Sequence, residues 1–242
     1  IGELLEHGLL HDNVETILGP GLSRYASQPS VAEGELSWPT AKVTSADHSI
    51  LRGVEAPFQQ EGGIRVVEGN AGRAVIKVSA VEPAHRSISA PARVFQSQDA
   101  FAASFEAGEL NSDMVVVLPF QGPQAVGMPE LHRLTPYLGV MQNKGLKVAL
   151  LTDGRMSGAS GKVLAAIHTT PEAVAAGPIG RIRDGDLITI DAEQGVLLVN
   201  ADLESRATLK PDLSSSHHGM GRELFEIFRQ KVGSAETGAS VF

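Results

Sequence analysis

Two serines and an arginine lie in a glycine-rich turn that follows a short apolar segment. The apolar segment, residues 147–153, is typical of a strand buried on both faces, and the turn carries Arg155, Ser157 and Ser160. A serine hydroxyl can act as a base when nearby positive charge stabilises its alkoxide, and glycines let the backbone approach a ligand closely. The turn therefore predicts a site for an anion such as an acidic sugar or a phosphate. The alternative is an ordinary strand-to-helix turn with serines at the surface.

The neighbouring elements determine how such a turn would be positioned. A helix is expected to open within the apolar residues 163–167, and the free N–H groups at its start would favour an anion. A second apolar strand, residues 114–120, leads into a glycine-containing loop that ends at Pro129 and Glu130, and a helical pattern follows over residues 131–142. Glu130 is then either a metal ligand or a first-turn residue that the helix dipole favours.

The rest of the chain indicates a mixed α/β fold. Residues 1–35 are typical of an interdomain linker, and residues 36–242 form the predicted domain, with a last amphipathic helix at 222–232. Short strands and a further helix are predicted within this domain. The strands are at 64–68, 73–81, 93–95, 186–191 and 196–199, and the helix is at 98–109. This pattern alone fits a closed barrel and an open sheet equally well.

Composition excludes several classes of protein. The chain has 242 residues, 42% hydrophobic residues and a formal net charge of −8. The negative charge, without a basic cluster, argues against nucleic-acid binding. The sequence has no apolar run of the roughly 20 residues that a membrane span needs, and its start lacks the pattern of a secretory signal. We therefore expect a cytoplasmic globular protein.

The two loops resemble the C-terminal region of the dihydroxy-acid and sugar-acid dehydratase family. The resemblance rests on Gly-Met-Pro-Glu at 127–130 and Thr-Asp-Gly-Arg-Met-Ser-Gly at 152–158. Order and spacing also match that family in further segments, at residues 61–64, 67–78, 169–173 and 177–188. Within the family, residues 156–161 and the tail at 216–225 are most similar to the branch that acts on 6-phosphogluconate.

The resemblance implies a lyase of carbohydrate metabolism that removes water from a 2,3-dihydroxy acid. In the most similar branch, 6-phospho-D-gluconate becomes 2-dehydro-3-deoxy-6-phosphogluconate, a step of the Entner–Doudoroff pathway in gluconate metabolism. It also implies a 4Fe–4S iron–sulfur cluster that binds the leaving C3 hydroxyl, and magnesium that holds the carboxylate and C2 side. The implied fold is a β-barrel-like α/β domain with flanking helices, similar to the swivelling domain of aconitase, in a homodimer.

The family motifs assign roles to residues of the two loops. By this resemblance Ser157 is the base at C2, and Glu130 is a ligand of the magnesium ion. Arg155 would stabilise the alkoxide, and Ser160 would form a hydrogen bond with the substrate carboxylate. Asp153 could orient Arg155 or the serine turn, or, in a simpler interpretation, cap the end of the strand locally.

The tail could bind the other end of the substrate. His217, His218 and Arg222 are candidates for charge-assisted hydrogen bonds to a 6-phosphate. The alternative is a solvated histidine pair that precedes a helix.

The chain departs from the complete family pattern in one respect. It contains no cysteine, and a cluster of this kind is held by cysteine thiolates. Because the sequence also begins at Ile1 without a methionine, we interpret it as a C-terminal fragment that is inactive alone. The missing N-terminal domain would carry the cysteines and the other magnesium ligands. The alternatives are a dehydratase for branched-chain or unphosphorylated acids, or a barrel that binds acids without catalysis.

Overall fold

The chain forms two compact units, residues 1–61 and 62–242. The structure is a computed structural model that describes residues 1–41, 45–156 and 161–242. The boundary expected at residue 35 stays a prediction, as does the interpretation of the first residues as a linker.

The first unit consists of short elements with little burial. None of its described residues is fully buried, and Ile17 and Trp38 are 97% and 61% exposed. Because apolar side chains stay at the surface, this unit has no core of its own among the described residues. Its elements are helix α1 (Gly2–Glu6), the strand pair β1 (Glu15–Thr16) and β2 (Gly19–Pro20), the strand pair β3 (Ser30–Ala32) and β4 (Glu35–Ser37), and a 3-10 turn at Ser23–Ala26.

The second unit is built on a closed barrel of eight strands. These are β5 (Ile64–Gly69), β6 (Gly72–Lys77), β7 (Ser87–Val94), β8 (Met114–Leu118), β9 (Val148–Thr152), β10 (Leu164–Thr170), β11 (Leu187–Asp191) and β12 (Val196–Val199). The order around the barrel is β10-β6-β5-β12-β11-β7-β8-β9, with β9 and β10 paired to close it. The predicted mixed α/β, barrel-like fold is confirmed, while the likeness to the aconitase domain stays a prediction.

Parallel pairing in one part of the barrel positions the two loops that carry Glu130 and Arg155. Strands β7, β8, β9 and β10 are parallel neighbours, and the remaining pairs are antiparallel apart from β12 and β5. In β8 and β9, Leu118 pairs with Thr152 at the last position of each strand. The carboxyl ends of both strands therefore lie at one edge, where the loops begin.

Strands β8 and β9 are buried on both faces, as their apolar sequences predict. Val115 and Val117 point into the barrel core, whereas Val116 and Leu118 pack on the outer side. Two helices cover this outer face, α2 (Gln98–Glu106) and α4 (Leu134–Asn143). Helix α2 is capped by the Ser97 hydroxyl, which accepts a hydrogen bond from the N–H of Ala100 at 3.1 Å.

The structure corrects two local predictions. The residues after the glycine-rich turn form strand β10, not a helix, because a short apolar run fits either element and Thr169 and Thr170 favour a strand. The helix expected from residue 131 begins at Leu134, so Pro129 and Glu130 precede it by a turn. Free N–H groups of a following helix are therefore not what would bind an anion at the glycine-rich turn.

The remaining helices are short. They are α3 (Pro123–Val126), α5 (Ser214–His217) and α6 (Glu226–Lys231), with 3-10 turns at Pro83–His85, Ala173–Ala175, Pro178–Arg181, Arg222–Phe225 and Ala235–Thr237. The helix expected at 222–232 thus consists of a 3-10 turn followed by α6. Among the described residues, no helix has the length and apolar character that a bilayer crossing requires.

Candidate active site

The two loops are joined where they leave the barrel. The hydroxyl of Thr152 donates a hydrogen bond to the carbonyl of Leu118 at 2.6 Å and accepts one from the N–H of Gly154 at 3.0 Å. The hydroxyl of Thr169 in turn donates to the carbonyl of Thr152 at 2.8 Å. Buried polar groups are thereby satisfied at the ends of three neighbouring strands, which aligns the loops that follow.

Asp153 ties three loops together. Its carboxylate accepts hydrogen bonds from the N–H groups of Phe120 at 3.1 Å, Gln121 at 2.8 Å and Ala173 at 2.8 Å. The side chain is fully buried, and burial raises the pKa of Asp153 while the three N–H donors oppose that rise. These partners are 20 to 33 residues away in sequence, so Asp153 is not a local cap.

A second buried carboxylate, Glu172, holds the first turn of α3. It accepts hydrogen bonds from the N–H groups of Gln124 at 3.0 Å and Ala125 at 3.2 Å, which a helix start leaves unpaired. Glu172 is 6% exposed, and burial raises its pKa. The sequence places Glu172 within a family motif at residues 169–173 but indicates no role for it. The signal was a glutamate within an otherwise uncharged turn, residues 169–180.

Glu130 and Arg155 lie side by side. Their backbones form a parallel β-bridge, and the N–H of Leu131 donates to the carbonyl of Arg155 at 3.1 Å. The guanidinium Nε of Arg155 donates to the carbonyl of Met128 at 2.8 Å, so this side chain lies along the other loop. Glu130 is half-buried and Arg155 is exposed. Glu130 is outside α4, so its interpretation as a first-turn residue is wrong.

Ser157 and Ser160 lie outside the described residues, and their roles stay predictions. The described residues on either side contact helix α4. The hydroxyl of Thr135 donates to the sulfur of Met156 at 3.1 Å, and the side chain of Gln142 donates to the carbonyl of Lys162 at 3.3 Å. Helix α4 therefore contacts the residues on both sides of the segment that contains the two serines.

Gly154 is required by the close packing of the two loops. It is absent from the described glycines with positive φ. A Cβ at this position would lie 2.7 Å from the Cβ of Gln121 and 2.9 Å from a methyl of Leu131. The two loops can approach each other this closely only because residue 154 has no side chain.

Substituting Gly154 with alanine should therefore push the two loops apart. We expect a loss of about 1–3 kcal/mol in the free energy of unfolding, as overpacking of a tight core costs. Denaturant unfolding of the variant would measure it, with Gly139→Ala as control, because a Cβ at Gly139 in α4 meets nothing within 4 Å. Equal stabilities of the two variants would contradict this packing argument.

Comparison with known proteins identifies the family to which these two loops belong. Residues 49–239 match the family described as dihydroxy-acid/6-phosphogluconate dehydratase C-terminal. The chain belongs to this dehydratase family. The chain is 53% identical over 245 residues to a protein named phosphogluconate dehydratase from Pseudomonas aeruginosa, and 49% identical over 243 residues to one from Escherichia coli K12. It is 38% identical over 212 residues to a dihydroxy-acid dehydratase from Metallosphaera sedula.

These alignments cover nearly all of this chain but less than half of each relative. The Pseudomonas and Escherichia proteins are matched over 100% and 99% of this chain and 40% of their own length. The Metallosphaera protein is matched over 85% of this chain and 35% of its own length. The chain thus spans about two fifths of the phosphogluconate dehydratases that it matches.

The described residues of this dehydratase domain form no complete metal site. Among the described ranges, no group of three or more histidine, aspartate and glutamate side chains is arranged to hold an ion. The role of Glu130 as a magnesium ligand therefore stays a prediction. With no cysteine in its sequence, the domain has no residues that fit an iron–sulfur cluster.

The C-terminal tail of the dehydratase domain forms two adjacent cavities. His217 and His218 line a cavity of about 230 Å³, and Arg222 lines another of about 440 Å³. The Nε2 atom of His217 lies 2.6 Å from the carbonyl oxygen of Ala125, within hydrogen-bonding distance. Arg229 lines both cavities and was not singled out by sequence reasoning, because it follows the matched tail motif within an ordinary amphipathic helix pattern.

Another residue near the loops is His168. Its N–H donates to the carbonyl of Gly154 at 2.9 Å, and its backbone has a φ of 56°. Burial, and to a smaller extent the charge of Arg155, lowers the pKa of His168, so the imidazole is neutral near pH 7. The family motif begins at Thr169, so the sequence alone gives no signal for His168.

Proposed function

We propose that this chain is the catalytic C-terminal part of a 6-phosphogluconate dehydratase. The enzyme would remove water from 6-phospho-D-gluconate and release 2-dehydro-3-deoxy-6-phosphogluconate. The main support is the β-bridge that holds Glu130 beside Arg155, two residues before Ser157 in the sequence. The identity to relatives named phosphogluconate dehydratase, 45–53%, supports this substrate over that of the 38% identical dihydroxy-acid dehydratase.

In this mechanism Ser157 takes the proton from C2 as the C3 hydroxyl leaves, and the resulting enol takes a proton at C3 to give the 2-keto acid. Glu130 would hold magnesium, which when bound supplies positive charge beside the substrate's oxygens. Arg155 would stabilise the serine alkoxide, which is otherwise too basic to form near neutral pH. Ser160 would orient the substrate carboxylate. No step is assigned to the iron–sulfur cluster, because this chain has no residues to hold it.

The positions of the charged side chains favour a role in binding as well as in proton transfer. Arg155 donates only its Nε to Met128 in the described contacts, and a guanidinium has five N–H donors. Its remaining donors can therefore bind a carboxylate or an alkoxide. Arg222, with His217 and His218 nearby, would bind the phosphate at the other end of the substrate.

A substrate panel tests the proposed activity. The full-length polypeptide, purified with its cofactors, would be assayed for 2-keto acid formation from 6-phosphogluconate, gluconate and a branched-chain 2,3-dihydroxy acid. We expect the highest kcat/KM with 6-phosphogluconate. A preference for the dihydroxy acid would favour the second candidate function. A full-length protein that binds these acids without turnover would favour a binding module.

Substituting Glu130 with glutamine should weaken magnesium binding. We expect the magnesium concentration for half-maximal activity to rise by at least about tenfold, because an amide is a poorer ligand than a carboxylate. Magnesium titrations of the full-length variant would measure this change, with Glu109→Gln as a control at an exposed position after α2. An unchanged magnesium requirement in Glu130→Gln would contradict the assignment.

The 242-residue chain alone should be inactive, since the cluster cysteines would come from outside it. The family resemblance implies homodimeric assembly, and the cytoplasmic location stays the expectation drawn from the sequence.

A further inference from the structure

We propose that the larger tail cavity is a subsite for a phosphate monoester, and that Arg229 determines selectivity for phosphorylated sugar acids. The inference rests on the proposed function and deepens it, because it names the residues that bind the phosphate end of the substrate. The cavity measures about 440 Å³ and is lined by both Arg222 and Arg229. Cavities of about 300–1,000 Å³ are typical of small-molecule sites.

The walls of this cavity favour a strong interaction with an anion. Phe225, Phe228 and Val232 line it beside the two guanidinium groups, and Ser216 adds a hydroxyl. The planar guanidinium of arginine forms paired, charge-assisted hydrogen bonds with phosphate oxygens. A neutral hydroxyl at the same place would form weaker hydrogen bonds with the two arginines.

Both arginines have donors available for a ligand. Arg222 donates to the carbonyl of Gly219 at 3.2 Å, and Arg229 donates to the carbonyl of Arg222 at 3.2 Å. In the part of the chain that the structure describes, neither guanidinium has a carboxylate within ion-pair distance. Backbone carbonyls hold the two side chains in place without neutralising their charge, so the charge is available to a phosphate.

The smaller cavity is a poorer site for phosphate. Glu223 and Glu226 line it together with the two histidines, and their negative charge would repel an anion. His217 already contacts the carbonyl of Ala125 in α3. We therefore assign His217 a positioning role, in which it fixes the tail against α3, and place the phosphate on the arginine side.

The larger cavity adjoins the loop that carries Glu130. Gly127 and Met128 line it, and the carbonyl of Met128 accepts the hydrogen bond from Arg155. One loop thus contacts the proposed phosphate subsite at one end and leads to Arg155 and Glu130 at the other. A sugar acid phosphate has its two charged groups at opposite ends, which matches this arrangement.

Kinetics of the full-length enzyme with Arg229→Gln test the subsite. We expect KM for 6-phosphogluconate to rise by about 10- to 100-fold, the effect of losing a charge-assisted hydrogen bond, with kcat changed by less than about threefold. The kcat/KM for gluconate should stay within about threefold of wild type, because gluconate has no phosphate. Lys231→Gln is the matched control, since Lys231 is an exposed cation of α6 that is not among the residues lining either cavity.

Several outcomes would overturn the inference. One is an unchanged KM for 6-phosphogluconate in Arg229→Gln, and another is an equal loss with gluconate. If Arg229→Gln fails to fold, the exposed Arg222→Gln replaces it, with the same expected selectivity. If the wild type does not turn over 6-phosphogluconate, the proposed function fails, and calorimetric titration with inorganic phosphate then decides the subsite separately. Binding that Arg229→Gln abolishes would support the subsite, and no binding to the wild type would refute it.

Discussion

Replacing Ser157 with alanine in the full-length enzyme is expected to lower kcat for 6-phosphogluconate by about 10²- to 10⁴-fold, the usual contribution of a general base. The serine follows Arg155 by two residues, directly after the segment that Glu130 and Leu131 hold in place. Removing one hydroxyl from this turn should leave the barrel and substrate binding intact. The loss should therefore fall on kcat, with little change in KM.

Steady-state kinetics, together with the iron content of the purified protein, would measure this effect. Ser112→Ala is a suitable control, because this exposed serine precedes β8 and so lies at the opposite edge of the barrel from the loops. A Ser157→Ala enzyme that keeps its iron and more than about half of the wild-type kcat would show that another group removes the C2 proton.

Replacing Asp153 with alanine is expected to cause the largest loss of stability. Three buried N–H groups would lose their acceptor, and each buried donor left unpaired costs about 1–3 kcal/mol. Denaturant unfolding would measure the loss. Because the carboxylate joins the loops after β8, β9 and β10, we also expect lower kcat for any variant that folds.

Asp184→Ala is the matched control for Asp153. The Asp184 carboxylate also accepts a backbone hydrogen bond, from the N–H of Val94 at 2.6 Å, but Asp184 is exposed and pairs with Arg93. Loss of the Asp184 carboxylate should lower the free energy of unfolding by about 1 kcal/mol or less. Equal destabilisation by the two substitutions would contradict a special role for the carboxylate that joins the loops.

The predictable parts of the fold are those with strong local patterns. Strands β8 and β9 are continuous apolar runs bounded by turn residues, and helix α2 has a serine cap with an apolar face. Strand β10 was mistaken for a helix because residues 163–167 are apolar without clear periodicity. Only its pairing with β6 and β9, which closes the barrel, determines its conformation, and such pairing is not visible in a local sequence.

The candidate site was predictable where a motif could be recognised. The family motifs led to Glu130 and Arg155, and the structure places these two residues side by side. The role of Asp153 could not be predicted, because its three partners come from distant parts of the chain. Arg229 was missed for a similar reason, since only the folded tail brings it into a cavity with Arg222.

The most direct test of the central claim is the reaction of full-length protein with 6-phosphogluconate in heavy water, followed by nuclear magnetic resonance. If Ser157 removes the C2 proton and the enol is protonated from solvent, a 2-keto acid should form with one deuterium at C3. Failure to form a 2-keto acid would contradict dehydration at this site. A product whose C3 carries only protons from the substrate would contradict protonation of the enol from solvent.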